Sequence, residues 1–359
     1  MKIGNTTLIP QNVAPSNATD LAIYSGDRKI CDVDISKMIP KNLGEKKYCV
    51  GLLSDTHTTT LDSFHAANTQ SDLTTAIRWL SANAEMTCVC GDLSEFNNDG
   101  GLGKHKEIVN ANKGGMEVYE MPGNHEHYNM EGVLALMDDN AIKQYTGFPL
   151  YYTVTNQPTN EAKRNYYSPT VDEDVYIMCG AVAWNPMFNN TNFRWLYETL
   201  EANRNKRCFL FFHAPIDDAQ HCGDALNVIT YDGLGDYKIR FINLLRHYKN
   251  AIYFHGHTHA MLEMQDYLQG LNPPLPANYD FTDGIHSVHI PSLAISRDIS
   301  NGTRVDVVAT SQGYLMDVYA NHIVLKGRDF VKGEFIPIAH YCLDTTLKSV
   351  ESKPFSAFA

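Results

Sequence analysis

Five short apolar runs between residues 48 and 255 each end in a polar turn of similar character. Tyr48-Cys-Val-Gly-Leu-Leu53 hands over to Ser54-Asp55, Met86-Thr-Cys-Val-Cys90 to Gly91-Asp92, and Met116-Glu-Val-Tyr-Glu-Met121 to Pro122-Gly123-Asn124. Arg207-Cys-Phe-Leu-Phe-Phe212 ends at His213, and Ala251-Ile-Tyr-Phe254 at His255-Gly256. Short apolar runs bounded by such turns predict strands. Helical spacing lies between several of them. Leu73, Ile77 and Leu80 share one face over 72–82; Phe193, Leu196 and Leu200 follow a cap at Asn190 or Thr191; Tyr237, Phe241, Leu244, Leu245 and Tyr248 mark a third helix over 236–248. Strands alternating with helices predict a layered α/β core.

Before Tyr48 the pattern is weak. Residues 1–47 are polar and broken by Gly and Pro, with one short strand expected at Leu21–Tyr24, and are taken as an N-terminal extension. Arg164–Tyr167 and Val175–Cys179 predict a hairpin. Residues 285–330 predict more strands, with a hairpin joining 313–319 to 323–327. The main domain is placed at 48–330. The tail, 331–359, is expected to pack on or near the core with one strand at Phe335–Ile338 and then fray.

Composition narrows the classes. The chain has 359 residues, 29 basic against 41 acidic, and a formal charge of −12. That balance argues against a broad nucleic-acid surface. No apolar stretch reaches membrane-spanning length and the N-terminus lacks a signal-peptide pattern, so the expected location is cytoplasmic. The 8 cysteines are scattered with no CxxC and are expected to be free thiols.

The strand-end residues make one set: Asp55, His57, Asp92, Asn124, His125, His213, His257 and His259. In a parallel or mixed sheet with helical crossovers, such ends meet along one edge. Carboxylate, imidazole and amide oxygen suit borderline cations such as Mn, Fe, Zn or Co. Leaving out His125, seven donors exceed what one cation uses and match two cations sharing a carboxylate. Two metals at ~3.5–4 Å can clamp the attacking and leaving oxygens of an ester, with a bridging water acidic enough to attack as hydroxide.

The blocks Asp55-Thr-His57, Gly91-Asp92, Gly123-Asn-His-Glu126, the lone His213 and Gly256-His-Thr-His259, in this order, resemble the calcineurin-like metallophosphoesterases over roughly 48–300. The segment Asn192–Leu200 is similar to that family's helix before the lone-histidine strand. The resemblance implies a two-sheet β-sandwich flanked by helices, a four-layer αββα fold. It implies Asp55, His57 and His259 on one metal, Asn124, His213 and His257 on the other, and Asp92 bridging. His125 would stand beside the metals, stabilise charge on the phosphate and protonate the leaving oxygen. Purple acid members carry a tyrosine where Glu95 stands, which argues against a purple ferric site. Glu126 closes its block as in the more phosphodiesterase-like members.

Singly, each residue has a plainer role: an aspartate after a strand usually caps a turn, and a lone histidine is usually a packed one. His255 is expected to be structural; His127 is expected either to touch substrate or to have a packing or surface role; His286 and His289 are expected to be sheet residues. Asp62, His65 and Asn68 could rim a pocket, and Asp217, Asp218, His221 and Cys222 could set substrate choice from a loop. The expected function is hydrolysis of a small phosphodiester or other phosphate ester by metal-bridging hydroxide with His125 assisting. One alternative is a nuclease, for which Lys104, Lys106 and Lys113 are a thin basic track. The other is a non-catalytic metal-binding scaffold in a larger assembly. The C-terminal strands resemble additions on some phage-encoded relatives, and the terminal extensions could dock to a protein partner.

Overall fold

The computed structural model describes residues 43–61, 66–95, 100–127, 173–184, 186–216, 234–264, 285–298, 305–307 and 310–358. It also describes the backbone of strands at 2–3, 6–10, 20–25, 28–34, 166–167, 170–171 and 279–280. Asp62, His65 and the loop with Asp217, Asp218, His221 and Cys222 lie outside these residues.

The chain opens with β1 (Lys2–Ile3), β2 (Thr6–Pro10), β3 (Asp20–Ser25) and β4 (Arg28–Asp34), a four-stranded antiparallel sheet where a single strand was expected. β5 (Lys46–Leu53), α1 (Ala66–Ser81), β6 (Met86–Cys90), α2 (Gly101–Asn112) and β7 (Glu117–Met121) form a parallel βαβαβ unit. A second unit follows the short strands β8 (Tyr166–Tyr167) and β9 (Thr170–Val171): β10 (Asp174–Cys179), α3 (Asn190–Ala202), β11 (Cys208–Phe211), α4 (Lys238–His247) and β12 (Ala251–His255). Then come β13 (Tyr279–Asp280), β14 (His286–His289), β15 (Ser296–Asp298), β16 (Val305–Val307), β17 (Gln312–Tyr319), β18 (His322–Asp329) and β19 (Glu334–Asp344). One sheet has the order β19-β18-β17-β5-β6-β7 and the other β13-β14-β12-β11-β10-β8, with β9 also on β10.

Strand alternation assigns the layers. On β5, Val50 and Leu52 point to a core shared by the two sheets, where they join Phe209, Phe211 and Phe254. Cys49 and Leu53 point outward to Leu73, Ile77 and Leu80 on α1 and Leu102 and Ile108 on α2. On β11, Cys208 and Leu210 face α3 and α4 through Phe193, Leu196, Phe241 and Leu244. The result is the expected αββα sandwich.

Three local expectations shift. α3 is capped by Asn189, not by Asn190 or Thr191 as expected, and its side chain accepts from the amides of Thr191 and Asn192. α2 was not legible, because its buried face mixes Gly101, His105, Ile108 and Val109. The tail does not fray: β19 runs eleven residues as an edge of the six-stranded sheet, and Phe355 and Phe358 pack against α3 and α4. Among the described residues no helix is long and apolar enough to cross a membrane.

Candidate metal centre

The expected donors come together, but from two sheets and not along one. Asp55 and His57 follow β5, Asp92 follows β6, and Asn124 and His125 follow β7, all in the six-stranded sheet; His213 follows β11, and His257 and His259 follow β12, in the seven-stranded sheet. Main-chain bonds zip the ends together. Asp55 N donates to Gly91 O at 3.0 Å, His57 N to Asp92 O at 3.0 Å, and Gly256 N to His213 O at 3.1 Å. Across the gap between sheets, His257 N donates to Asp55 Oδ2 at 3.0 Å.

Close approach explains the glycines. A Cβ on Gly91 (φ +84°) would stand 2.6 Å from Nδ1 of His213, and one on Gly256 would stand 2.5 Å from Oδ2 of Asp55. Six non-glycine residues among those described have positive φ, and five are Asp55, His57, Asp92, His257 and His259. Asp and His tolerate this region better than most residues. Strain of ~1–3 kcal/mol each is typical where a site must aim its side chains.

Among the described residues three clusters of donor atoms could each hold a cation: His57, Glu95 and His125 at the rim, and two that share Asp92. Asp55, His57, Asp92 and His259 are one; Asp92, His213 and His257 are the other; in each, all donor atoms lie within 4.8 Å of one another. His259 Nδ1 donates to the carbonyl of Ile295 at 2.9 Å, and His213 Nδ1 to that of Cys90 at 2.7 Å. A carbonyl only accepts, so these Nδ1 atoms carry the proton and each Nε2 presents a lone pair. His259 Nε2 then faces Asp55 Oδ1 at 3.0 Å, and His213 Nε2 faces Asp92 Oδ2 at 2.9 Å. Acceptor facing acceptor at this distance calls for a cation between them. The buried Oδ1 of Asn124 accepts no hydrogen bond from any described residue, as a free ligand oxygen would not. The residues therefore fit two borderline cations, whose identity the donor types leave open.

Electrostatics point the same way. Burial resists charge on Asp55, but His259 and His213 hold its pKa well below the ordinary carboxylate range; His213 and His125 do the same for Asp92. Burial also opposes charge on His57, yet Asp55 and Glu95 lift it to about 10, and Asp92 and Asp55 lift His213 to about 9. Without metal, protons take the cations' place. His257 and His259 fall to about 3, through burial first and then the positive charge of His213 and Arg297 respectively.

His125 stands at the rim, with its side chain 22% exposed and Nε2 4.0 Å from Asp92 Oδ2. Its backbone N donates to Asp92 Oδ1 at 2.9 Å, and its Nδ1 donates to the carbonyl of Glu95 at 2.7 Å. Glu126 does not face the opening. It is buried, accepting from Ser94 N at 2.8 Å and Gly123 N at 2.7 Å, and so brackets two of the loops. His127 is buried and donates Nε2 to Ala181 O at 2.8 Å; His289 meets Thr258 Oγ1 at 2.7 Å; His255 is buried with its ring 5.5 Å from that of His289. Asn68 lies exposed on α1.

Two neighbours carried no sequence signal for their contacts. The Glu95 carboxylate meets His57 Nδ1 at 2.7 Å, and the Trp184 ring lies 5.1 Å from that of His125. Trp184 comes from beyond β10 in the other sheet, so no spacing links it to the Gly123-Asn-His-Glu126 block.

The fold and this shared donor set define a candidate dinuclear metal centre. The chain belongs to the calcineurin-like phosphoesterase family, whose model matches residues 50–261. No curated protein matches the sequence. Among solved structures, a purple acid phosphatase from yellow lupin (Lupinus luteus) is similar over 90% of this chain and 59% of its own, with 12% identity and a TM-score of 0.55. This chain thus spans less than two thirds of that relative's length. A Vps29 variant from Entamoeba histolytica gives 10% identity, 82% and 98% coverage and a TM-score of 0.33; Vps29 from Cryptosporidium parvum gives 12%, 84% and 100%, and 0.35.

Proposed function

We propose that the protein hydrolyses phosphate esters, small phosphodiesters in particular, at this centre. The observation that carries the proposal is the position of Asp92 Oδ2, 2.9 Å from His213 Nε2, 3.8 Å from His57 Nε2 and 4.0 Å from His125 Nε2. In the proposed assignment Asp55, His57 and His259 hold one cation, Asn124, His213 and His257 hold the other, and Asp92 touches both. Cations bound there would supply charge neutralisation of the phosphoryl oxygens and a more acidic attacking water. Asp92 also fixes the backbone of His125. The Glu95 carbonyl keeps the His125 proton on Nδ1 in the neutral ring, and burial lowers its pKa. His125 would take up a proton at Nε2 from solvent, pass it to the departing oxygen and return to the neutral ring, its Nδ1 proton staying on the Glu95 carbonyl throughout.

The net charge of −12 weighs against a polymer track. Glu126, bracketed inside the loops, lends the diester preference no support. The six described cysteines are free thiols, in keeping with a reducing cytoplasm. A role for the terminal strands in docking a protein partner is the runner-up, and His125, which stands in neither of the two groups that share Asp92, speaks against a purely structural centre.

The test is elemental analysis of protein purified without chelator, with bis-p-nitrophenyl and p-nitrophenyl phosphate assayed in added Mn. About two metals per chain and faster diester cleavage are expected. Two metals with neither ester cleaved would shift the assignment to a binding role.

A further inference from the structure

Glu95 joins two parts of the centre. Its Oε2 lies 2.7 Å from His57 Nδ1, its main-chain oxygen accepts from His125 Nδ1 at 2.7 Å, and its own N donates to Thr58 O at 3.1 Å. The other two donor histidines with a defined Nδ1 partner, His213 and His259, lean on neutral carbonyls. Glu95 instead sets an anion behind a donor imidazole, with its side chain only 15% exposed. A carboxylate held against the Nδ1 side of the ring raises electron density at Nε2 and strengthens it as a ligand; losing such a partner typically costs ~10–100-fold in metal affinity.

We propose, resting on the dinuclear assignment above, that Glu95 is a positioning residue that sets the strength of the His57 cation position. Its carboxylate makes that position respond to a charge the His213 position does not feel. A space-filling role predicts instead that the isosteric amide serves as well, since Gln can still accept from His57.

The experiment uses the full chain, stripped by chelator and titrated with Co²⁺, with binding followed by visible absorption. Wild type is expected to take two equivalents. In Glu95→Gln, one stepwise association constant is expected to fall ~10–100-fold while the other stays within about 3-fold, and the melting temperature of the stripped protein is expected to hold. Glu95→Asp, which keeps the charge, is expected to lose less than Glu95→Ala, an order that serves equally if the amide variant fails to fold. Equal shifts in both constants, no shift in either, or Asp losing as much as Ala would overturn the proposal. A third equivalent in wild type that vanishes in Glu95→Gln would make Glu95 a ligand and overturn its positioning role. Fewer than two equivalents in wild type would overturn the dinuclear assignment itself.

Discussion

The Nε2 atoms of His57 and His259 stand 3.0 Å apart although 202 residues separate them and their strands belong to different sheets. Glu95 and the Ile295 carbonyl hold the far side of each ring, so both lone pairs converge beside Asp55. The centre is therefore a seam between the two layers, and cation binding should tie the sheets together.

Asp92 serves both groups, so its loss should be felt by both. Asp92→Asn is expected to drop metal content from about two per chain to one or fewer and kcat/KM by at least ~10²–10³-fold. Elemental analysis of the variant checks the first, and a variant that kept two metals would refute the shared-ligand assignment.

His125 should behave differently. His125→Ala is expected to keep both metals and lose ~10²–10⁴-fold in kcat. The loss should be larger for an alkyl leaving group than for p-nitrophenolate, which departs without a proton. Equal losses for both would remove His125 from leaving-group protonation.

Far from the centre, Asp72 on α1 has its carboxyl pushed up to about 7, by burial and then by Asp329. The unfolded value is near 3.8. The folded state thus favours the neutral acid, its stabilisation is complete below the unfolded pKa, and it is lost as pH rises through the folded pKa. Asp72→Asn should gain on wild type as pH rises from about 4 to about 7, then level off at ~1–3 kcal/mol. Urea unfolding at pH 5 and pH 8 measures it, and a difference independent of pH would refute it.

At the opposite ends of the strands, Arg207 grips Asp174 with Nε at 2.9 Å and Nη2 at 2.5 Å, and reaches Thr345 Oγ1 at 2.8 Å. Tyr48 OH, from the other sheet, donates to the same carboxylate at 2.7 Å. Arg207→Met would leave Asp174 buried without its cation and is expected to cost ~3–5 kcal/mol. Metal content should not change. A loss under ~1 kcal/mol in urea unfolding would show that water replaces the guanidinium there.

The donor residues were legible because each sits where a short apolar run stops, and a strand's carboxyl end is where a parallel sheet exposes its loops. Asp55, His57, Asp92, Asn124, His213, His257 and His259 needed only that local pattern, together with the order of their blocks. Other features had no local signature. β19 outlasts its apolar stretch because ladder bonds to β18 sustain it through His340 and Asp344. Glu126 has the spacing of a site residue, yet two main-chain amides draw it inward. What the sequence alone determined was which side chains stand at strand ends and what cations they suit. Tertiary structure decided that two sheets share them, that Glu95 backs His57, and that Trp184 flanks His125, because such contacts depend on how the layers stack and not on spacing along the chain.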